Sequence, residues 1–205
     1  VLGYPEVIDL EVFYDYLCPF VYRASVMLQN AGRSRKLNVT WSYFSLTQVN
    51  SRDEGWSLWD APASEKVQGR LAFMAAEAAR RQGRFEAFHV PLLQARHRDR
   101  LEIDRPEVVE RVAVDSGLDL ERFRQDLADP GILGPLEHDH LRATREHGVF
   151  GTPTFLFSDG AAAYVRLAEA PEAAEAIRVL DRVISVAASE PSILEIKRPR
   201  KPATD

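Results

Sequence analysis

The sequence is poor in sulfur. It has one cysteine among 205 residues, which excludes an internal disulfide framework and leaves apolar burial to hold the fold. No apolar run approaches the roughly 20 residues that span a bilayer. Residues 1–14 lack the basic start and cleavage signature of a secretory signal, so a cytoplasmic location is expected. Positive charge is not in excess either. A formal net charge of -5 and a pI of about 5.6 leave no electrostatic footprint for nucleic acid. There is no glycine-rich phosphate loop, no Ser/His/Asp pattern and no internal repeat. What remains is a chain with 45% apolar residues, long enough to bury one full core with room for an insertion. Either a monomer or a homodimer fits this composition.

From Glu6 to Tyr14 the even positions Ile8, Leu10, Val12 and Tyr14 are apolar and the odd ones mixed. That is the period of a strand with one buried face. Phe20, Ala24, Met27, Leu28 and Ala31 then recur at helical spacing, with Gly32 as the stop. Leu37, Val39, Trp41 and Tyr43 alternate with polar residues as a second strand. The short span of this βαβ unit favours parallel pairing. Near the other end, Thr154 to Phe157 reads as a strand and Asp159-Gly160 as a two-residue hairpin turn. Ala163, Val165 and Leu167 follow as the return strand. Pro171 then opens a helix through Ala173, Ile177, Leu180, Ile184 and Ala187.

The region between these halves turns helical. Ser64 is placed to cap a helix running through Val67, Leu71, Ala75 and Ala78 to Gly83. A second, marked by Phe85, Phe88, Leu92 and Leu93, should kink or break at Pro91. Pro106 to Ser116 reads as a third, with Asp104 near its start and Gly117 past its end. Asp119 caps a fourth through Leu120, Phe123 and Leu127, and a fifth runs from about Leu133 to His147. The expected fold is α/β: a thioredoxin-like core of βαβ and ββα halves over residues 1–46 and 151–189. A helical insertion occupies 47–150, and a flexible tail 190–205 carries Lys197, Arg198, Arg200 and Lys201 among prolines.

Asp15-Tyr16-Leu17-Cys18-Pro19-Phe20-Val21-Tyr22 stands between the first strand and its helix. Pro19 suits a first helical position, and the exposed N–H groups and dipole of a helix start favour a thiolate at Cys18. This segment resembles the active-site motif of the DsbA-like oxidoreductases, specifically the FrnE-like branch, where C-P-x-C follows an aromatic-rich strand. Gly148-Val149-Phe150-Gly151-Thr152-Pro153-Thr154-Phe155 resembles that family's second signature, a loop ending in a cis-proline opposite the cysteine. The resemblance implies a thiol–disulfide oxidoreductase with Cys18 as the nucleophile. Pro19, Phe20, Thr152 and Pro153 would line the substrate site, the backbone of Thr152 pairing with a substrate strand.

Val21 departs from the motif, because dithiol members carry their resolving cysteine there. Cys18 would then act alone on small thiols or on a disulfide-bearing protein or peptide, and an external thiol would resolve the adduct. Glutathione is the candidate co-substrate; no tightly held cofactor is expected. Hydroxychromene carboxylate isomerases and kappa-class glutathione transferases are similar in their helical insertion but use Ser-Pro at the corner, so a glutathione-dependent isomerase or transferase is one alternative. A redox-silent module binding a peptide or small molecule is another.

Other motifs carry blander readings. Glu137, His138, His140 and His147 are not spaced as a metal set: His138 and His140 diverge on a helix, and His140 and His147 lie about 10 Å apart along its axis. No metal is expected. His89 and His97 read as surface or capping residues. Arg80-Arg81 and Arg96 to Arg100 read as solvated faces, while Trp56 and Trp59 suit equally a groove beside Cys18 or packing of the insertion.

Overall fold

The computed structural model describes residues 6–198. The chain order is β1 (Val7–Tyr14), α1 (Pro19–Ala31), β2 (Lys36–Tyr43), α2 (Leu46–Val49), α3 (Arg70–Arg81), α4 (Phe85–His97), α5 (Pro106–Asp115), α6 (Leu120–Leu127), α7 (Gly134–Glu146), β3 (Thr154–Phe157), β4 (Ala162–Tyr164) and α8 (Ala173–Ser189). The strands form one sheet in the order β2-β1-β3-β4. β1 pairs parallel with β2, from Val7 opposite Lys36 to Tyr14 opposite Tyr43, and antiparallel with β3. The βαβ and ββα halves thus stand as their patterns predict, with β1 and β3 side by side.

That adjacency positions the site, since the exit of β1 and the entry of β3 meet at one end of the sheet. Ile8, Leu10, Val12 and Tyr14 are buried, and α1 packs on α8. One apolar cluster runs from these strands through Val21, Met27 and Leu180 into Phe73, Phe88, Leu92 and Phe123 of the inserted helices. A smaller cluster of Phe13, Phe44, Ala143 and Val149 holds α7 on the opposite face. Among the described residues no helix is long and apolar enough to cross a membrane.

Several local expectations are corrected. α3 starts at Arg70, not at a Ser64 cap, because Gly69 takes φ +82° and its N–H is received by both Asp104 carboxylate oxygens at 2.9 and 3.0 Å. Asp104 therefore serves a distant helix, while Arg105 precedes Pro106 at the start of α5. α4 runs unbroken through Pro91. Burial of Phe85, Phe88, Leu92 and Leu93, at about 1.5–3 kcal/mol each, outweighs a proline cost of about 3 kcal/mol. Asp119 does cap α6, its side chain accepting from Arg122 N at 2.9 Å.

The hairpin turn has three residues rather than two. Phe157 N donates to Ala161 O at 2.9 Å, and Gly160 closes the loop at φ +85°, the geometry of a type I turn with a glycine bulge. β4 is shorter than the return strand expected through Leu167, although Val165 N still reaches Pro153 O at 3.1 Å. α8 begins at Ala173, past Pro171, whose carbonyl instead accepts from Asn30 Nδ2. Residues 190–198 are exposed and irregular. Arg200, Lys201 and the rest of the tail lie outside the described residues.

Candidate active site

β1 leaves the sheet at Tyr14, and the chain must turn at once into α1. Asp15 makes that turn. Its backbone carbonyl accepts from Cys18 N at 3.1 Å, and its carboxylate accepts from Leu17 N at 2.8 Å and from Leu46 N at 2.7 Å. The carboxylate is wholly buried with only N–H partners. Burial pushes its pKa up from 3.8 to about 6; the two N–H groups oppose this and the charge of Asp104 adds to it.

Cys18 is the N-cap of α1, extended at φ −88° and ψ 115°, with Pro19 opening the helix. Its side chain makes no capping bond. The thiol instead donates to Thr152 O at 3.1 Å across the junction with β3, and Cys18 is only 5% exposed. The Thr152–Pro153 peptide bond is cis. Thr152 is also buried, and its Oγ1 has no hydrogen-bond partner among the described residues. The two sequence segments expected to meet therefore do meet, through the residues expected to carry them. Pro19 is exposed and Phe20 half-buried beside Cys18, whereas Val21 is fully buried in the core.

Two residues that pattern reading set aside prove to hold this corner. His89 is buried, not on the surface, and its Nδ1 shares a 3.0 Å hydrogen bond with Tyr16 Oη. His97 donates from Nε2 to Tyr16 O at 2.8 Å. α4 thus grips Tyr16 at both its hydroxyl and its carbonyl, one turn of chain ahead of the thiol. Burial lowers the pKa of His89 to about 3, with the nearby Arg80 charge adding to this, so its ring is neutral at physiological pH. His97 is lowered as well, chiefly by burial. The available signal was position: His89 lies four residues after Phe85 and four before Leu93, on the apolar face of α4.

The remaining candidates resolve as packing. Trp56 Nε1 donates to Glu65 at 3.0 Å, and the Trp59 ring lies 5.5 Å from that of His140. His140 Nδ1 accepts from Ser45 N at 3.1 Å, and burial lowers its pKa to about 4. His147 caps the end of α7 beside Arg142, and His138 is exposed. Among the described residues no three His, Cys, Asp or Glu side chains converge on a metal position. Arg80 is exposed as its pattern suggests, and its guanidinium also lies 4.0 Å from the Phe85 ring centroid and donates to Trp41 O at 3.0 Å. Arg81 pairs with Asp129 at 2.7 Å.

The comparisons with known proteins fit this geometry. The family model of the DSBA-like thioredoxin domain matches residues 9–173. An uncharacterised protein of Mycobacterium tuberculosis is 27% identical over 205 residues, covering 95% of this chain and 83% of that protein. Among solved structures, a thioredoxin-like oxidoreductase from Silicibacter pomeroyi DSS-3 superposes with a TM-score of 0.58 at 24% identity, covering 89% of this chain and 90% of that one. The cytosolic disulfide reductase DsbM from Pseudomonas aeruginosa with GSH gives a TM-score of 0.61 at 18% identity, covering 86% and 99%.

Proposed function

The chain belongs to the family of DSBA-like thioredoxin domains, and from that premise we propose that it exchanges thiols and disulfides through Cys18 alone. The observation that carries this reading is the Cys18 thiol at the start of α1, 3.1 Å from Thr152 O, with a buried Val21 where a resolving cysteine would stand. In the first step the Cys18 thiolate attacks one sulfur of a disulfide, forming a mixed disulfide and releasing the other half as a thiolate. An external thiolate then attacks the substrate sulfur of that adduct. A new disulfide leaves and the Cys18 thiolate is regenerated.

Glutathione is the external thiol we favour, and the fold likeness to a cytosolic disulfide reductase solved with GSH supports both that choice and a reducing, cytoplasmic setting. Pro19, Phe20, Thr152 and Pro153 frame the approach to Sγ. A bound peptide strand would compete with the Cys18 thiol for the Thr152 carbonyl, so binding and release of the sulfur would be linked.

Incubation with glutathione disulfide, followed by intact-mass measurement, tests the proposal. The expected product carries one glutathionyl group, is reversed by free glutathione and is absent in Cys18→Ser. Absence of any adduct with both glutathione disulfide and the smaller hydroxyethyl disulfide would overturn it. The 5% exposure of Cys18 favours a second reading, a redox-silent binding module, for which Cys18→Ser would leave peptide or small-molecule binding intact.

A further inference from the structure

Among the described residues most of the arginines that make side-chain contacts are tied to carboxylates, among them Arg35 to Asp181, Arg124 to Glu110 and Arg142 to Glu11. Arg23 and Arg166 are different. Neither forms an ion pair among the described residues, and both lie against one ring, that of Phe20. The guanidinium carbon of Arg166 is 4.1 Å from the ring centroid and that of Arg23 is 5.3 Å away. The two charges are therefore no farther apart than those two distances laid end to end. Arg23 donates through Nη1 to Leu167 O at 2.9 Å, which uses one of its five N–H groups.

Their position relative to Cys18 follows from a closed circuit of contacts. Cys18 Sγ touches Thr152 O, and Pro153 O accepts from Val165 N at 3.1 Å. Arg166 is the next residue and lies over Phe20, which belongs to the first turn of the helix that Cys18 caps. Both arginines thus sit on the rim of the thiol site. Two like charges held on one ring repel each other, and a chain with a net charge of -5 has carboxylates enough to pair them if pairing were the purpose. A carboxylate bound between them would relieve that repulsion and take the remaining N–H donors. Thr152, whose carbonyl accepts from the sulfur, also carries a buried hydroxyl with no partner among the described residues.

We propose that Arg23 and Arg166 form a carboxylate-recognising pair that selects anionic thiols and disulfides, small acidic peptides of the glutathione class, over neutral and cationic ones. Phe20, in the first turn of the helix that follows Cys18, acts as the platform that holds both guanidinium groups through cation–π contact. This rests on the monothiol reading for its chemistry, but recognition of the carboxylate does not require the thiol to react.

The test therefore has two arms. In the first, rates of Cys18 adduct formation are compared for glutathione disulfide (anionic), hydroxyethyl disulfide (neutral) and cystamine (cationic). The wild-type protein should prefer glutathione disulfide to cystamine by about tenfold at low salt, with the preference shrinking as salt rises. Arg166→Gln with Arg23→Gln should abolish the preference, read in each protein as the ratio of the glutathione disulfide rate to the hydroxyethyl disulfide rate. Arg166→Glu, at an exposed position that folding tolerates, should reverse it. In the second arm, non-covalent binding of S-methylglutathione to Cys18→Ser protein is measured with and without Arg166→Glu, and the charge reversal should weaken it by about tenfold. Equal disulfide preferences in wild type and Arg166→Glu, or equal S-methylglutathione binding, would overturn the inference. Charge-dependent binding with no adduct from any disulfide would support the arginine pair while sinking the monothiol chemistry.

Discussion

Glu11 lies within β1 and Asp15 just past its end, and the protein treats these two carboxylates in opposite ways. Glu11 faces α7, where Arg142 pairs with both its oxygens and Ser42 stands close by. Burial alone would raise its pKa, but the hydrogen bonds from Arg142 and Ser42 and the Arg142 charge bring it below its ordinary 4.5. Asp15 has no cationic partner among the described residues. It is held by two backbone N–H groups in full burial and rises to about 6. A carboxylate with a cationic partner keeps its charge and fastens two layers of the fold. One without such a partner remains charged only at a cost, and here it does so to shape the turn that delivers Cys18 to Thr152.

The largest way to sharpen this contrast is through pH. Because the native state holds the Asp15 proton up to about pH 6 while the unfolded chain releases it near 3.8, the contribution of Asp15 to stability is most favourable below about pH 4. It declines as pH rises to about 6 and is flat above that. The stability difference between wild type and Asp15→Asn, from urea denaturation, should therefore move against wild type by roughly 3 kcal/mol across that window. An unchanged difference would mean that the turn does not hold a strained carboxylate. Glu11 runs the other way: its contribution is present above pH 4.5 and is lost as pH falls through its lowered folded value.

Breaking the opposite face comes next. Arg142→Met leaves Glu11 poorly solvated beside Phe13 and should cost about 2 kcal/mol at pH 7, whereas Glu11→Gln with Arg142→Met should recover most of that loss. A double variant as unstable as the single one would show that Arg142 acts by packing on Phe13, whose ring centroid lies 5.1 Å from its guanidinium carbon, rather than by charge. On the Cys18 side, His89→Leu removes the partner of the buried Tyr16 hydroxyl. It also removes the unpartnered His89 Nε2, so the net cost should be about 1 kcal/mol in the same assay.

Phe150→Ala should be the mildest change. Phe150 is 71% exposed on the loop leading to Thr152, its ring set edge-on to Tyr164 at 5.0 Å. Its loss should shift stability by less than about 0.5 kcal/mol. If Phe150 helps hold substrates, the rate of Cys18 adduct formation with a disulfide-linked peptide should fall while stability does not.

Much of this was legible in one dimension. The alternation through Ile8, Leu10, Val12 and Tyr14, the helical recurrence after Pro19 and the Asp119 cap are local signals, because strand and helix periods and caps are set within a few residues. Ser64 misled because the true cap of α3 is a carboxylate 35 residues away, Asp104 on Gly69. Pro91 misled because local cost was weighed without the burial that offsets it. His89, on the apolar face of α4, and the half-buried His97 were misplaced because the residue that both hold, Tyr16, lies 73 and 81 positions away in the chain.

By itself the sequence determined that a lone cysteine stands between a strand and a proline-started helix, with no second thiol at Val21, and that a second proline loop follows late in the chain. These are matters of residue identity and short-range order. Only the tertiary structure decided that Thr152 O lies 3.1 Å from Sγ, that the Asp15 carboxylate is held by the N–H groups of Leu17 and Leu46, and that α4 holds Tyr16 from both ends. The reason is physical: each depends on which groups close packing brings together, and in a buried site the energy of a charge or a hydrogen bond is set by those distant neighbours.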